Sequence, residues 1–398
     1  MLRFSGFDDE WKKSNLGNIS SNEMYGMNSA AKDYDGFNKY IRITDISETS
    51  NKFIPNPLTS PDGDLEDKYK LKKGDIVFAR TGASTGKTYL YDDNDRNLYF
   101  AGFLIKFHID NADPKFIFYN TLKEEYLNWV SVMSVRSGQP GINSNEYKKL
   151  PIILPSLDEQ NKISNFLTSI DKKIDLLERK HQFYQEFKKF LMQQIFTQKL
   201  RFDFKDTWDK VLLKDVAFIP KKTKLTNVEG LKLLTVKLHT KGIEINDRIK
   251  PKLTKRGRPY YIRRSGELLI GRQNFHNGGM GIVPKSLDGG ICSNAISSFN
   301  VFEDKIDVNY LYYFLARPEY YIKSERLIGG TGQKEFSEKE LLKLKIDLPS
   351  LEEQNKIVDF LLNIDHKIEL SENQLNKTQE FKKGLLQQMF DNMLLFKL

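Results

Sequence analysis

Leu154-Pro155-Ser156-Leu157-Asp158-Glu159-Gln160-Asn161-Lys162-Ile163 returns later in the chain as Leu348-Pro349-Ser350-Leu351-Glu352-Glu353-Gln354-Asn355-Lys356-Ile357. The offset of 194 residues holds without a gap to Phe196 and Phe390, and about 26 of the 43 aligned positions are identical. Chance does not produce this, so the chain is a tandem duplication. The same offset reaches backwards: Ser137-Gly138-Gln139 faces Thr331-Gly332-Gln333, and Asp113, Phe116 and Tyr119 face Asp307, Tyr310 and Tyr313. Further upstream the offset drifts to 192, where Gly74-Asp75-Ile76-Val77-Phe78-Ala79-Arg80 resembles Gly266-Glu267-Leu268-Leu269-Ile270-Gly271-Arg272. Trp11 and Trp208 each open a short amphipathic stretch near the front of a half. Alike helices joined to divergent globular parts suggest one shared job and two different targets.

The repeated segment reads as a long helix. Ser156 with Glu159, and Ser350 with Glu353, match a capping box, and Pro155 and Pro349 block helix continuation backwards. A heptad follows. In the first copy Ile163, Ile170, Leu177, Tyr184 and Leu191 recur every seven residues, with Leu167, Ile174 and Ile195 between them, broken by His181 and Lys188. In the second, Ile357, Ile364 and Leu385 alternate with Leu361, Ile368, Leu375 and Met389, broken by Ser371, Thr378 and Lys382. Such spacing makes one coiled-coil seam. A helix from Asn161 to Phe196 would run roughly 54 Å, so pairing of the two helices is the natural way to bury the seams. They could pair parallel or antiparallel. Antiparallel pairing would set the globular regions at opposite ends with pseudo-two-fold symmetry, and half-sites about one DNA turn apart, roughly 34–36 Å, fall within that reach.

Residues 1–150 and 205–345 read as short strands mixed with helix. Lys39–Ile46 alternates as a half-buried strand, Gly74-Asp75 opens a strand over Ile76–Ala79, and Asp113–Val132 and Asp307–Ile322 read as aromatic-rich helix whose Tyr310, Tyr313, Phe314 and Tyr321 are core. Basic and amide side chains collect where strands end. The first region offers Arg80, Thr81, Ser84 and Lys87, with Arg136 and Gln139 later; the second offers Arg272, Gln273, Asn274 and Asn277, with Gln333 and Lys334 later. Arg, Gln and Asn pair bidentately with base edges, and loops on a rigid scaffold are where such contacts sit. The stretch from Lys250 to Arg264 holds seven basic residues and no acid, including Lys255, Arg256 and Arg258, and reads as a phosphate-contacting segment.

Composition agrees. The 398 residues call for two or three domains, the hydrophobic fraction of 39% supports real cores, and the net charge of +9 favours an anionic partner. The single cysteine, Cys292, excludes an internal disulfide and reads as a buried apolar side chain. An acidic N-terminus without an apolar core, and no apolar run of membrane-spanning length, make a cytoplasmic protein the expectation.

The enzyme-like motifs fail on spacing. Gly82-Ala83-Ser84-Thr85-Gly86-Lys87-Thr88 has three residues between its glycines where a phosphate-binding loop needs four, and the second half has no equivalent. Pro61-Asp62 with Glu66-Asp67-Lys68 is too compact for a metal-dependent nuclease. No glycine-rich methyl-donor loop or base-methylation motif occurs, and His108, His181, His239, His276 and His366 lack metal-ligand spacing.

Gly74–Gly82, followed by a Leu-Pro-Ser-Leu-x-Glu-Gln helix and a second copy of the plan, resembles the specificity subunit of type I restriction–modification enzymes over essentially the whole chain. The resemblance implies an α+β fold: two mixed α/β target recognition domains (1–152 and 201–346) separated by two long helices (153–200 and 347–398) paired as an antiparallel coiled coil, a pseudo-two-fold internal repeat. It implies a non-catalytic DNA-recognition subunit of a multisubunit restriction endonuclease and adenine methyltransferase, each half reading one half-site of a bipartite asymmetric target. The partners implied are double-stranded DNA, two methyltransferase subunits and two restriction/translocase subunits, with no membrane. S-adenosylmethionine, ATP and magnesium would sit on those partners, and no catalytic, cofactor or metal residue carries over to this chain.

Overall fold

In each half, one apolar strand is buried on both sides, and the rest of the globular region is arranged around it. The computed structural model describes residues 2–254, 257–324 and 335–390. The chain divides into two units, one of Met1–Glu178 with Asn373–Leu398 and one of Arg179–Glu372. In the first, Asp75–Ala79 lies in a four-stranded antiparallel sheet ordered Ser20–Tyr25, Leu104–Ile109, Asp75–Ala79, Thr88–Leu90. Successive side chains of a strand point to opposite faces. Ile76 and Phe78 therefore enter a core with Phe107, Phe116 and Tyr147, while Val77 and Ala79 enter another with Ile41, Leu98 and Phe100. Burial on both faces explains the unbroken apolar run. The second unit repeats the plan: Ala217–Phe218, Ile296–Val301, Leu268–Gly271 and Met280–Ile282 form the sheet. Leu268 and Ile270 face one core there and Leu269 the other.

Local expectations need adjusting at their edges. The strand expected over Lys39–Ile46 spans only Lys39–Ile41, and Ile43–Asp45 turns as a short 3-10 helix. Asp45 explains the break: its carboxylate takes the Arg42 amide at 2.9 Å and the Arg42 guanidinium at 2.8 Å. Each aromatic-rich helix is two helices, Pro114–Asn120 and Glu124–Met133 in one unit, Val308–Leu315 and Pro318–Ser324 in the other. Asp113 and Asp307 cap the first of each pair. Tyr310, Tyr313, Phe314 and Tyr321 are core, and Cys292 is buried, its thiol pushed up to about 11 chiefly by desolvation.

A two-stranded antiparallel ribbon leads into each long helix, Lys12–Asn15 with Pro151–Leu154 and Asp209–Leu212 with Lys345–Leu348. The helices are Leu157–Phe196 and Leu351–Phe390, 40 residues each, or about 60 Å. They begin earlier than Asn161 because the caps, Ser156 and Ser350, stand immediately before Leu157 and Leu351. The capping boxes form by half. Ser156 Oγ accepts from the Glu159 amide, and Ser350 Oγ from that of Glu353, both at 3.4 Å. The glutamates do not reach back. Glu159 is buried and takes two bonds from Arg3, at 2.9 and 2.7 Å. Glu353 takes the same pair from Arg201 and a third, at 3.0 Å, from Trp208 Nε1.

The adjoining glutamines staple the helix to the sheet region. Gln160 Oε1 accepts from the Asp113 amide at 2.9 Å and its Nε2 donates to Pro155 O at 2.9 Å. Gln354 repeats this with Asp307 and Pro349. The repeated Glu-Gln pair is thus the joint between sheet region and helix.

Within the first unit, Ile163, Leu167, Ile170 and Ile174 share a core with Leu385, Leu386, Met389 and Phe390. Within the second, Leu191, Ile195 and Phe196 share one with Ile357, Val358, Leu361 and Ile364. The start of one helix thus meets the end of the other in both units, which makes the pairing antiparallel. The polar breaks in the heptads are mostly partners. Lys382 pairs with Asp171 and Lys188 with Asp365, each at 2.5 Å, and Tyr119 and Tyr313 donate to the same aspartates at 2.6 Å. His181 Nδ1 lies 2.9 Å from Ser371 Oγ. A charge pair at a seam position specifies register at some cost in stability.

Candidate nucleic-acid interface

In each unit the strand that carries the core ends in an arginine, and a second loop closes over it. In the first unit, Arg80 O accepts from the Ile142 amide and Pro140 O from the Gly82 amide, both at 2.9 Å. Thr81 bridges to Gly141. In the second, Arg272 O accepts from the Phe336 amide at 3.0 Å. The backbone construction is therefore the same, and it brings Arg80, Thr81, Ser84 and Gln139 together at one surface. Gly82 has φ +74, and a Cβ there would lie 2.9 Å from Gln139 Nε2, so glycine permits this approach.

The side chains differ between the copies. Arg80 rests over two rings, Tyr25 at 4.9 Å and Phe103 at 5.9 Å, which are 41% and 55% exposed. Its guanidinium has no hydrogen-bond partner among the described residues, and Nε is buried without one. Thr81, Ser84 and Gln139 also have no side-chain hydrogen bond there. Lys87 and Arg136 are engaged. Lys87 reaches Glu48 at 2.5 Å and Ile46 O at 3.1 Å. Arg136 makes two bonds of 2.6 Å to Glu146.

Arg272 is held on every side: Nε donates to Phe336 O at 3.1 Å, Nη1 to Asn294 O at 3.3 Å, and Nη2 lies 3.0 Å from Glu335. Gln273 reaches the same Glu335 at 3.4 Å, and Asn277 lies 3.1 Å from the His276 ring. Asn274 is exposed and borders a cleft of about 290 Å³ with Asn246, Ile249, Tyr260, Gln273 and Ser293. Arg258 is exposed. Lys255, Arg256, Gln333 and Lys334 lie outside the described residues. The basic run around them is less uniform than its sequence implies. Arg263 is buried and donates to Ile296 O at 3.0 Å, and Arg264 lies 3.5 Å from Asp288.

The phosphate-loop lookalike is a 3-10 turn, Gly82–Ser84. The amides of Gly82, Thr85, Gly86 and Lys87 already donate to Pro140, Gly82, Ala79 and Ser84 carbonyls, so they cannot cradle a phosphate. Among the described residues no cluster of His, Cys, Asp and Glu could hold a metal ion, and no helix is long and apolar enough to cross a membrane.

A family model described as the type I restriction modification DNA specificity domain matches residues 8–182 and, again, residues 205–380. The chain belongs to this family of specificity subunits. Among relatives of this specificity subunit, the type I restriction enzyme MjaVIII specificity subunit of Methanocaldococcus jannaschii is 24% identical over 339 residues, covering 79% of this chain and 78% of that protein. The type I restriction enzyme HindI specificity subunit of Haemophilus influenzae is 26% identical over 193 residues, 47% of this chain and 41% of that one. A crystal structure of a type I restriction–modification S subunit from M. genitalium shares the fold with a TM-score of 0.64 and 14% identity, over 99% of both chains. A chain from a structural study of complex assembly in a type I system has a TM-score of 0.52 and 19% identity, over 98% of both.

Sequence reasoning missed the residues that tell the candidate contacts of this subunit apart. Tyr25 ends one strand and Phe103 stands just before another, both distant from Arg80 in the chain, and no spacing marks them. Glu48 and Glu335 neutralise Lys87 and Arg272 from a distance in the chain. Glu146 was within reach, because Asn143 and Glu146 form a full capping box whose spacing is visible in the sequence.

Proposed function

We propose that this specificity subunit reads a bipartite, asymmetric DNA target, residues 1–152 recognising one half-site and 201–346 the other. The helical segments 153–200 and 347–398 hold the two readers at a set spacing and dock two methyltransferase subunits, with two restriction/translocase subunits joining the full complex. The methyl donor, ATP and magnesium act on those partners in the cytoplasm, while this chain contributes recognition and no catalytic group. One observation carries the reading. The joint of Glu, Gln, Arg and helix is built on the same plan in both units, whereas the loops at the strand ends carry different free side chains. Like mounts with unlike tips suit one machine reading two unlike sequences.

The test is an exchange of residues 1–152 for the corresponding region of another specificity subunit, followed by sequencing of methylated sites in cells that supply the methyltransferase. One half of the methylated sequence should change and the other persist. A change in both halves, or in neither, would refute the two-reader model.

A further inference from the structure

We propose that Arg80 reads a guanine in the first half-site and that its counterpart Arg272 reads no base. The inference rests on the specificity-subunit reading and deepens it. An arginine side chain offers five N–H donors and no acceptor. None of those on Arg80 has an acceptor among the described residues, and its Nε is buried without one. The buried Nε is closed to a ligand, so the terminal Nη1 and Nη2 are the donors that can meet one. The residue is nevertheless oriented. Tyr25 and Phe103 hold the guanidinium at 4.9 and 5.9 Å. Tyr25 is itself fixed, its hydroxyl accepting from the Ser144 amide at 3.1 Å. A guanidinium supported on ring faces keeps its hydrogen-bonding edge free.

The chemistry that fits such an edge is a pair of acceptors in one plane. Guanine presents O6 and N7 in this way in the major groove. A phosphate also offers paired oxygens, but the surroundings do not suit one. The neighbouring cations, Lys87 and Arg136, are engaged by Glu48 and Glu146. The amides of Gly82, Thr85, Gly86 and Lys87 already donate within the chain. What remains beside Arg80 is neutral: the amide of Gln139 and the hydroxyls of Thr81 and Ser84. One free fork among neutral hydrogen-bonding groups is a base-reading surface. Arg272 has the same place in the second unit, with Phe336 O, Asn294 O and Glu335 around its fork. It is a clamp between loops, so the second half-site must be read by other side chains.

The experiment uses the full chain with its methyltransferase partner. Methylated sites are sequenced for the wild type, Arg80→Lys and Arg272→Lys. Arg80→Lys keeps the charge and removes the fork. The expected result is a roughly 10- to 100-fold loss of preference for guanine at one position of the first half-site, with every letter of the second half-site intact. That intact half also reports a folded complex. Arg272→Lys should leave all letters unchanged and lower thermal stability. A second measurement leaves the protein untouched: 7-deazaguanine at that position, which lacks N7, should weaken wild-type binding more than Arg80→Lys binding. The proposal is overturned if Arg80→Lys keeps every letter, or if it weakens all sequences alike with a shallower salt dependence, the signature of a phosphate contact. A wild type that yields no split motif would take down the specificity-subunit reading and this one with it.

Discussion

The glutamates of the two joints differ by one hydrogen bond, and that difference can be measured. Glu159 and Glu353 both stand at the third position of a long helix, and both take a two-pronged bond from an arginine. Glu353 takes a further bond from Trp208 Nε1 at 3.0 Å. The matching Trp11 Nε1 is buried and has no partner among the described residues. In either Glu→Gln variant one oxygen becomes an NH2 that faces donors, and the arginine loses its counter-charge. Removing one partner of a buried pair costs about 3–5 kcal/mol. Arg3 and Arg201 keep 22% and 19% of their side-chain surface in water, so the low end, about 3 kcal/mol, is the appropriate figure for Glu159→Gln. Glu353→Gln should cost about 1.5 kcal/mol more, the usual worth of a hydrogen bond to a charged group. For a unit of this size about 1 kcal/mol moves Tm by roughly 2–4 °C. Glu159→Gln should therefore lower the transition of its unit by about 6–12 °C, and Glu353→Gln should lower that of the other by several degrees more. Differential scanning calorimetry of the full chain, with urea titration as a check, reads both. Equal shifts, or a larger one for Glu159→Gln, would refute the claim that the tryptophan bond matters. Shifts below about 1 °C in both would refute the joint itself.

Three further outcomes are expected. Lys123 is buried over the Phe390 ring at 5.1 Å, and desolvation presses its amine down to about 8. Its folded value thus lies below its ordinary 10.5, so the penalty for burying the charge is full below pH 8 and fades as pH rises from 8 to 10.5. Lys123→Met should stabilise the chain by about 2 kcal/mol at pH 7 and remove most of this pH dependence, read by urea unfolding at pH 7 and pH 10. No gain at pH 7 would contradict it. Gly86 has φ +90, and a Cβ there would lie 2.6 Å from Val130 Cγ1, so Gly86→Ala should cost about 2 kcal/mol and weaken recognition of the first half-site before the second. A competition assay with half-site-mutated DNA would show the order. Inserting one heptad in each long helix should lengthen the spacer by about 10 Å and widen the unread gap by about three base pairs. An unchanged gap in the methylated motif would count against the helices as its measure.

The sequence by itself determined the duplication, the long helices, their caps and their seams. These are local or periodic properties. A heptad repeats every seven residues whatever surrounds it, and a serine three residues before a glutamate can cap a helix unaided. Chain order also placed an arginine at the end of each buried strand, because strand and loop are contiguous. It could not tell what those arginines do. Arg80 and Arg272 occupy matching places and read alike. Tertiary structure alone sets Tyr25 and Phe103 beneath one, and Glu335 with two carbonyls around the other. The glutamates of the repeated motif show the same division. Their spacing announced a capping box, but Arg3, Arg201 and Trp208, brought in from far along the chain, took the carboxylates instead. A two-pronged charged bond in a buried place outweighs a local bond to a backbone amide, and only the folded chain brings those groups within reach.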